Sequence, residues 1–290
     1  MNPGVVYVVA TPIGHLGDLS ARALEVLRSV DVVASEDTRR TRVLLTRHGI
    51  HTRLVAYHAH NEAQVAVTLI EQVQMGRSVA LVSDAGTPCL SDPGKQLVDA
   101  CHTHGVRLVP IPGASAVTTA LSVAGLDNSR FMFEGFIPRD GRARRALIAS
   151  WRTAAHAVVL FEAPGRVVET LLELAEALGG DRVVLVAREL TKLHEQLARG
   201  SLSTICQQFA DGSIPTLGEF VLVMAPVPRV EQVGAASLDP EQVMRHCLEY
   251  LAPSQASRLA ARLTGLSRGE LYDIALRVGS AARDPTSSAE

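Results

Sequence analysis

The feature that most constrains this chain is an alternation, sustained over its first 125 residues, between short β-branched runs and stretches with helical spacing. Val5–Ala10, Asp31–Ser35, Arg53–Tyr57, Ser78–Val82 and Arg107–Ile111 read as strands. Between them, Ser20–Ser29, Thr38–Arg47, Asn61–Met75 and Pro93–His104 carry apolar residues at helical intervals. Such a rhythm folds as a mostly parallel sheet covered by helices. A further helix, Ala114–Ala124, stops at Gly125. In open sheets of this type ligands bind beyond the carboxyl ends of the strands, so the segment after each strand is where chemistry is to be sought.

A second α/β region occupies residues 126–226. Its strands are expected at Arg130–Ile137, Ala157–Phe161, Arg182–Ala187 and Glu219–Ala225, its helices near Gly141–Trp151, Val167–Leu178 and Ser201–Asp211. Nothing in the pattern fixes the strand order. Pro226–Ser237 reads as a linker, and residues 239–280 are strand-free and alanine-rich. There Asp239-Pro240 starts one helix and Ser254 is placed to cap a second that ends near Gly265. Ser267 with Glu270 forms a capping box for a third, running to about Val278, with Arg268 and Arg277 on it. Helix, glycine turn, helix is the form of a helix-turn-helix. The polar residues from Ala281 onward read as a disordered tail.

Composition narrows the function. A net charge of −2 argues against a protein that coats nucleic acid indiscriminately. No apolar run is long enough to span a membrane, the start Met1-Asn-Pro-Gly is unlike a signal peptide, and the four cysteines lack metal or disulfide spacing. A reducing cytoplasm is the expected location. Charge is concentrated locally: Arg39, Arg40, Arg42 and Arg47 form one group, Arg139, Arg142, Arg144 and Arg145 another. Each is either a solvated helix face or a phosphate contact.

Five loops of the first region and two of the second hold the candidate chemistry. Ser83–Gly94 follows a strand; Gly86 allows close backbone approach, Pro88 fixes a turn, and Asp92 is placed to cap the next helix with Pro93 at its first position. Thr11–Ser20 has Gly14 and Gly17, but neither the dinucleotide fingerprint nor a Walker lysine. Glu36-Asp37-Thr38-Arg39-Arg40 suits a cation, a sugar hydroxyl, or a plain ion pair with a helix cap. In Tyr57–Glu62, His58 and His60 alternate at a strand end, where acid/base or RNA contact fits better than a metal that lacks a third ligand. Asn61 with Gln64 is placed to cap the helix that follows. Ile111–Ala116 opens a helix whose amides and Ser115 suit a carboxylate or phosphate. Phe161–Arg166 and Arg188–Lys192 occupy strand ends of the second region.

Together, Ala10–Ser20, Glu36–Arg39, Tyr57–Glu62, Ser83–Gly94, Ile111–Ala116, Gly135–Pro138 and Arg188–Lys192 resemble the tetrapyrrole-methylase superfamily, and within it the bacterial 16S ribosomal RNA cytidine 2′-O-ribose methyltransferases. The helical region, with Leu271–Leu276, resembles the C-terminal domain of that group. His15 departs from the usual Asn there, and Ala114 from a common Pro. The resemblance implies two α/β domains with a cofactor cleft between them plus a small all-helical domain, usually as a homodimer. It implies transfer from S-adenosylmethionine to the ribose of cytidine 1402 in the small-subunit RNA, with no metal.

The resemblance places the cofactor against Pro12, Gly14, Gly86, Thr87, Pro88, Leu90, Ser115, Ala116 and Phe161. Glu36, His58, His60 and Glu62 are expected around the ribose, one of them taking its proton, with Arg39, Arg139, Arg142, Arg144 and Arg145 on phosphates. The alternatives are methylation of a tetrapyrrole ring and a non-catalytic nucleic-acid-binding regulator.

Overall fold

Valine-rich runs buried on both faces build the first sheet. The computed structural model describes residues 4–227 and 239–281, with side chains to Val278. In it β1 (Val5–Val9), β2 (Val32–Ser35), β3 (Arg53–Ala56), β4 (Val79–Val82) and β5 (Arg107–Ile111) are all parallel, in the order β3-β2-β4-β1-β5. Every residue of β2 and β4 is buried, as central parallel strands require. Four helices make the crossovers, α1 (Ala21–Ser29), α2 (Thr38–Arg47), α3 (Glu62–Gln74) and α4 (Lys95–Thr103), and α5 (Ala116–Val123) leads from β5 to the second sheet. Side-chain alternation along the strands divides the core in two. Val9, Val33 and Val82 pack on Leu27 and Leu45 of α1 and α2, whereas Val6, Val32 and Leu81 pack on Leu69 and Leu97 of α3 and α4. The five carboxyl ends open on one edge, and the candidate motifs stand there.

The second sheet is mixed. Its strands are β6 (Phe131–Phe136), β7 (Ala157–Glu162), β8 (Val183–Arg188), β9 (Gln196–Ser201) and β10 (Phe220–Met224), in the order β6-β7-β10-β8-β9. Only β6 and β7 run parallel. The edge strand β9 was not expected from the sequence. Helices α6 (Gly141–Ser150), α7 (Val167–Leu178) and α8 (Leu202–Ala210) cover one face through Ile148, Leu171 and Ile205, beside the fully buried Trp151. The indole N–H donates to Glu134 at 3.2 Å, so its burial leaves no orphan donor.

The opposite face of that sheet explains why both sheets belong to one compact unit ending at Val227. Val159, Leu185, Val221 and Val223 pack on Val117, Ala120 and Leu121 of α5 and on Ile13 of the first sheet's opening loop. The ligand-bearing loops are therefore held by a shared core.

The second unit contains α9 (Pro240–Tyr250), α10 (Pro253–Thr264) and α11 (Arg268–Ala281), closed around Met244, Ala256, Ala260 and Leu271. The capping box is formed: Ser267 N–H donates to Glu270 at 3.0 Å, and Glu270 N–H to the Ser267 hydroxyl at 3.3 Å. Ser254 is not a cap. Pro253 takes the first helical position after Ala252, which moves Ser254 inside the helix. The expected linker beyond Val227 and the tail after Ala281 lie outside the described residues. Among the described residues no helix is long and apolar enough to cross a membrane.

Candidate active site

Three strand ends are pinned together before any pocket forms. Thr11 N–H donates to Gly86 O at 2.9 Å and Gly86 N–H returns to Thr11 O at 3.0 Å. The Thr11 hydroxyl donates to Ser83 O at 3.2 Å, and the Thr87 hydroxyl to Ala114 O at 3.2 Å. Gly86 has φ +80°, and a β-carbon there would stand 3.3 Å from Cγ2 of Ile13. The positive φ is what favours glycine here, and the contact with Ile13 is tight.

Beyond these bonds lies a cavity of about 350 Å³ between the two sheets. Ile13, Gly86, Thr87, Leu90, Ser115 and Ala116 come from the first, Phe161, Ala187 and Val221 from the second. Phe161 is held edge-on by Phe133 and Phe136, with ring centroids 4.9 and 5.7 Å away. A concave wall that is mostly apolar, with a few convergent polar groups, suits a small-molecule ligand.

One of those polar groups corrects an expectation. Asp92 does not cap a helix, because α4 begins at Lys95 after Gly94. The intervening turn holds Cys89 and Ser91 at φ +69° and +65°, conformations costly for residues with a side chain. The turn leaves Asp92 lining the pocket, half-buried. Burial, and after it the charge of Glu36, pushes its carboxyl up to about 6, against a bond from Ser83. Glu36 is also raised, by burial and then by Asp84, while Arg40 and His58 oppose the shift. Asp84 accepts Asp37 N–H at 2.9 Å and lies 3.4 Å from Arg40. Asp37 caps α2 and grips the Arg39 guanidinium at 2.8 Å, which holds its carboxyl down at about 2.

The histidines differ from one another. His58 is half-buried with Nδ1 lacking a hydrogen-bond partner, whereas His60 is exposed; their rings meet edge-on at 6.0 Å. Among the described residues no three His, Cys, Asp or Glu side chains converge on a metal position. Asn61 stands at the N-cap of α3 without capping it, since its Oδ1 accepts from His58 N–H at 2.8 Å. Glu62 points to the start of α4. Its Oε2 accepts from Gly94 N–H at 3.2 Å and from Tyr57 OH at 3.4 Å, and that hydroxyl accepts from Leu97 N–H at 3.1 Å.

Of the residues expected at the cofactor, Gly86, Thr87, Leu90, Ser115, Ala116 and Phe161 line the cavity, and Pro12, Gly14 and Pro88 do not. Gly14 is instead a point of close approach between the halves, since a β-carbon there would lie 2.5 Å from Lys192 Cγ. Of the arginines, Arg39, Arg139, Arg142 and Arg145 are exposed. Arg144 is buried: it donates to Thr170 at 2.7 Å and to Glu173, and lies 3.9 Å from Glu162. It is therefore removed from the phosphate contacts. The spacing Arg144, Ile148, Trp151 already places it on the buried stripe of α6. Asp92 was legible as a residue but hidden by its plausible role as a cap.

A two-sheet α/β unit with a mostly apolar, ligand-sized pocket between its sheets, and Asp92 in the lining, is built as a small-molecule-dependent enzyme. Residues 5–206 match Tetrapyrrole (Corrin/Porphyrin) Methylases, and the chain belongs to that family. Residues 234–278 match the RsmI C-terminal HTH domain. Ribosomal RNA small subunit methyltransferase I of Xylella fastidiosa (strain Temecula1) is 44% identical over 271 residues, 93% of this chain and 98% of that protein. The protein of the same description from Pseudomonas aeruginosa is 41% identical, over 96% and 98% of the two chains.

The fold recurs in the methyltransferase CobJ, with a TM-score of 0.59 and 17% identity over 77% of this chain and 95% of that one. It recurs in uroporphyrin-III C-methyltransferase from Thermus thermophilus complexed with S-adenyl homocysteine, at 0.53 and 19% over 78% and 100%. S-adenosylmethionine is the cofactor of the family, and the residues lining this pocket fit it. Gly86 leaves the backbone bare, Leu90 and Phe161 offer apolar surface, and the Asp92 carboxyl is available to a cationic group.

Proposed function

We propose that this chain methylates the 2′-oxygen of a cytidine ribose in small-subunit ribosomal RNA, at position 1402 of the decoding region, using S-adenosylmethionine. The observation that carries the reading is full-length likeness to relatives described as ribosomal RNA small subunit methyltransferase I, helical region included.

Gly86, Thr87, Leu90, Ser115, Ala116 and Phe161 would hold the cofactor. When bound, it would supply a methyl group already activated on a sulfonium, with a neutral thioether as the leaving group. What remains is to align the ribose and accept its proton. Alignment contributes about 7–11 kcal/mol and a general base about 10²–10⁴-fold. Asp92 takes the proton: it lines the pocket, and burial together with the charge of Glu36 raises its carboxyl to about 6. Glu36, His58 and His60 orient the ribose at the mouth, and Glu62 holds the loop that presents Asp92. Arg39, Arg139, Arg142 and Arg145 hold phosphates.

A homodimer belongs to the same reading, supported by exposed Phe131 and Met132 on the edge strand β6; sedimentation at micromolar concentration checks it. So does a cytoplasmic location, where the ribosomal substrate is assembled. The deciding experiment uses radiolabelled S-adenosylmethionine and small subunits from a strain lacking the modification, with the label mapped by nuclease digestion and mass spectrometry. Label on a decoding-region cytidine ribose is expected. Cofactor binding without RNA label would overturn the reading in favour of a tetrapyrrole substrate, and no cofactor binding would favour a regulator.

A further inference from the structure

A second cavity, of about 720 Å³, begins one residue along the chain from the first. Ile13 lines the pocket described above, and Gly14 and His15 line this one, together with Arg47, His48, Lys192 and Leu193. Its wall contains no acidic side chain. Two hydrogen bonds shape it: His15 N–H donates to the Thr191 hydroxyl at 3.1 Å, and Gly17 N–H donates to His15 Nδ1 at 3.1 Å. The second bond makes Nδ1 an acceptor, so the neutral ring carries its proton on Nε2, a donor free to meet a ligand. Lys192 is already matched by Glu189 at 2.9 Å and Glu219 at 3.1 Å. The charge left for an anion is that of exposed Arg47. Beside it, His48 Nε2 is buried without a hydrogen-bond partner.

The helix α2 runs toward the second cavity from beside Glu36, whose charge acts on Asp92 in the first. Its N-cap is Asp37, and it ends at Arg47 with His48 as its C-cap, both in the lining of the second. Ten residues at 1.5 Å each span roughly 15 Å, the reach of a few nucleotides of single strand. Arg39, Arg40, Arg42 and Arg47 are all exposed along it. We infer that the second cavity is a subsite for a nucleotide flanking the methylated cytidine, with its phosphate on Arg47 and His15 Nε2 and its base against Leu193. This rests on the RNA reading of the preceding section. A free small anion would need no arginine track leading to the catalytic mouth, whereas a bound strand does.

The test measures methylation of small subunits by the full chain across a salt series. Arg47→Ala should raise KM about tenfold, the worth of one charge-assisted contact, and flatten the plot of log KM against log salt by about 0.7. Arg47→Glu should do more. Cofactor affinity without RNA should not move. Arg107→Ala, at the amino-terminal end of β5, should leave the slope unchanged.

Independently, Leu193→p-benzoylphenylalanine, at a side chain 93% exposed, should crosslink within a few nucleotides of the modified cytidine. Unchanged KM and slope in both Arg47 variants, or crosslinks only to distant RNA, would overturn the subsite while leaving the proposed function standing. Failure of the unaltered protein to methylate RNA would overturn both.

Discussion

The carboxyl of Asp92 stands in the field of Glu36 at the edge of the apolar pocket, and both acids are held above the ordinary carboxylate range. Partial burial, and after it the charge of Glu36, raises the Asp92 carboxyl to about 6. With the Asp92 carboxyl at about 6, kcat/KM should rise about tenfold per pH unit below that value and level off above it. Asp92→Asn should lower turnover at pH 7.5 by about 10²–10⁴-fold and abolish the rise. A pH–rate profile on small subunits checks both.

The same shift has a stability consequence of opposite sign. A folded-state value raised from 3.8 to about 6 means that the favourable contribution is full below about pH 4 and lost as pH climbs through 6. Ionised Asp92 therefore destabilises the fold at neutral pH. After discounting for its solvent exposure, Asp92→Asn should stabilise the protein by about 1 kcal/mol at pH 7.5 and by nothing at pH 4. Urea unfolding at the two pH values measures the difference.

Arg144 and Arg142 should behave as opposites although they lie two residues apart. Arg144 is buried among Glu162, Thr170 and Glu173, so Arg144→Ala removes one of the two guanidinium groups facing buried Glu162, leaving Arg166 at 3.5 Å, and should cost about 1–3 kcal/mol. Arg142→Ala, on the exposed side of α6, should leave stability within about 0.5 kcal/mol. It should weaken RNA binding in a salt-dependent way. Thermal melts together with filter binding of the RNA separate the two roles.

Much of this was legible because strand periodicity and loop chemistry agree locally. The β-branched runs around Val32–Ser35 and Val79–Val82 read as strands, which the structure places inside the sheet, and Gly86 marked the pocket wall. What escaped depends on partners distant in sequence. Gln196–Ser201 has no β-branched residue and becomes a strand through pairing with β8. The helix after Ser83–Gly94 starts late because Gly94, at φ +141°, packs where a β-carbon would lie 2.5 Å from Cys89 Sγ. That packing, invisible in the string Asp92-Pro93, turns an apparent cap into a pocket acid. The antiparallel placing of β10 between β7 and β8 likewise has no local signature.

Gly14 is required by the meeting of two loops rather than by the cofactor. A β-carbon there would lie 2.5 Å from Lys192 Cγ, 2.7 Å from the Thr191 hydroxyl and 2.9 Å from Leu190 O. The lysine stem can swing aside, but the backbone carbonyl cannot. Gly14→Ala should push the loop after β1 away from Thr191, breaking the His15 bond, at a cost of about 1–3 kcal/mol. Calorimetric unfolding tests the cost. Because Ile13 follows the same loop into the first cavity, cofactor titration should also show weaker binding.

Glu62 separates a clamp from a catalyst. Its Oε2 accepts from Gly94 and Tyr57, and burial, the chief cause, keeps the Tyr57 hydroxyl protonated far above its usual range. A clamp needs an acceptor, not a charge. Glu62→Gln retains one and should keep turnover within about threefold, because the general-base contribution is not removed. Glu62→Ala leaves the Gly94 N–H and the Tyr57 hydroxyl short of an acceptor and should cost about 1–3 kcal/mol. It should also slow turnover indirectly, by loosening the turn through Cys89 and Ser91 that presents Asp92. Steady-state rates and urea midpoints for the two variants decide the matter: loss of turnover in Glu62→Gln with stability unchanged would make Glu62 the proton acceptor and Asp92 its support.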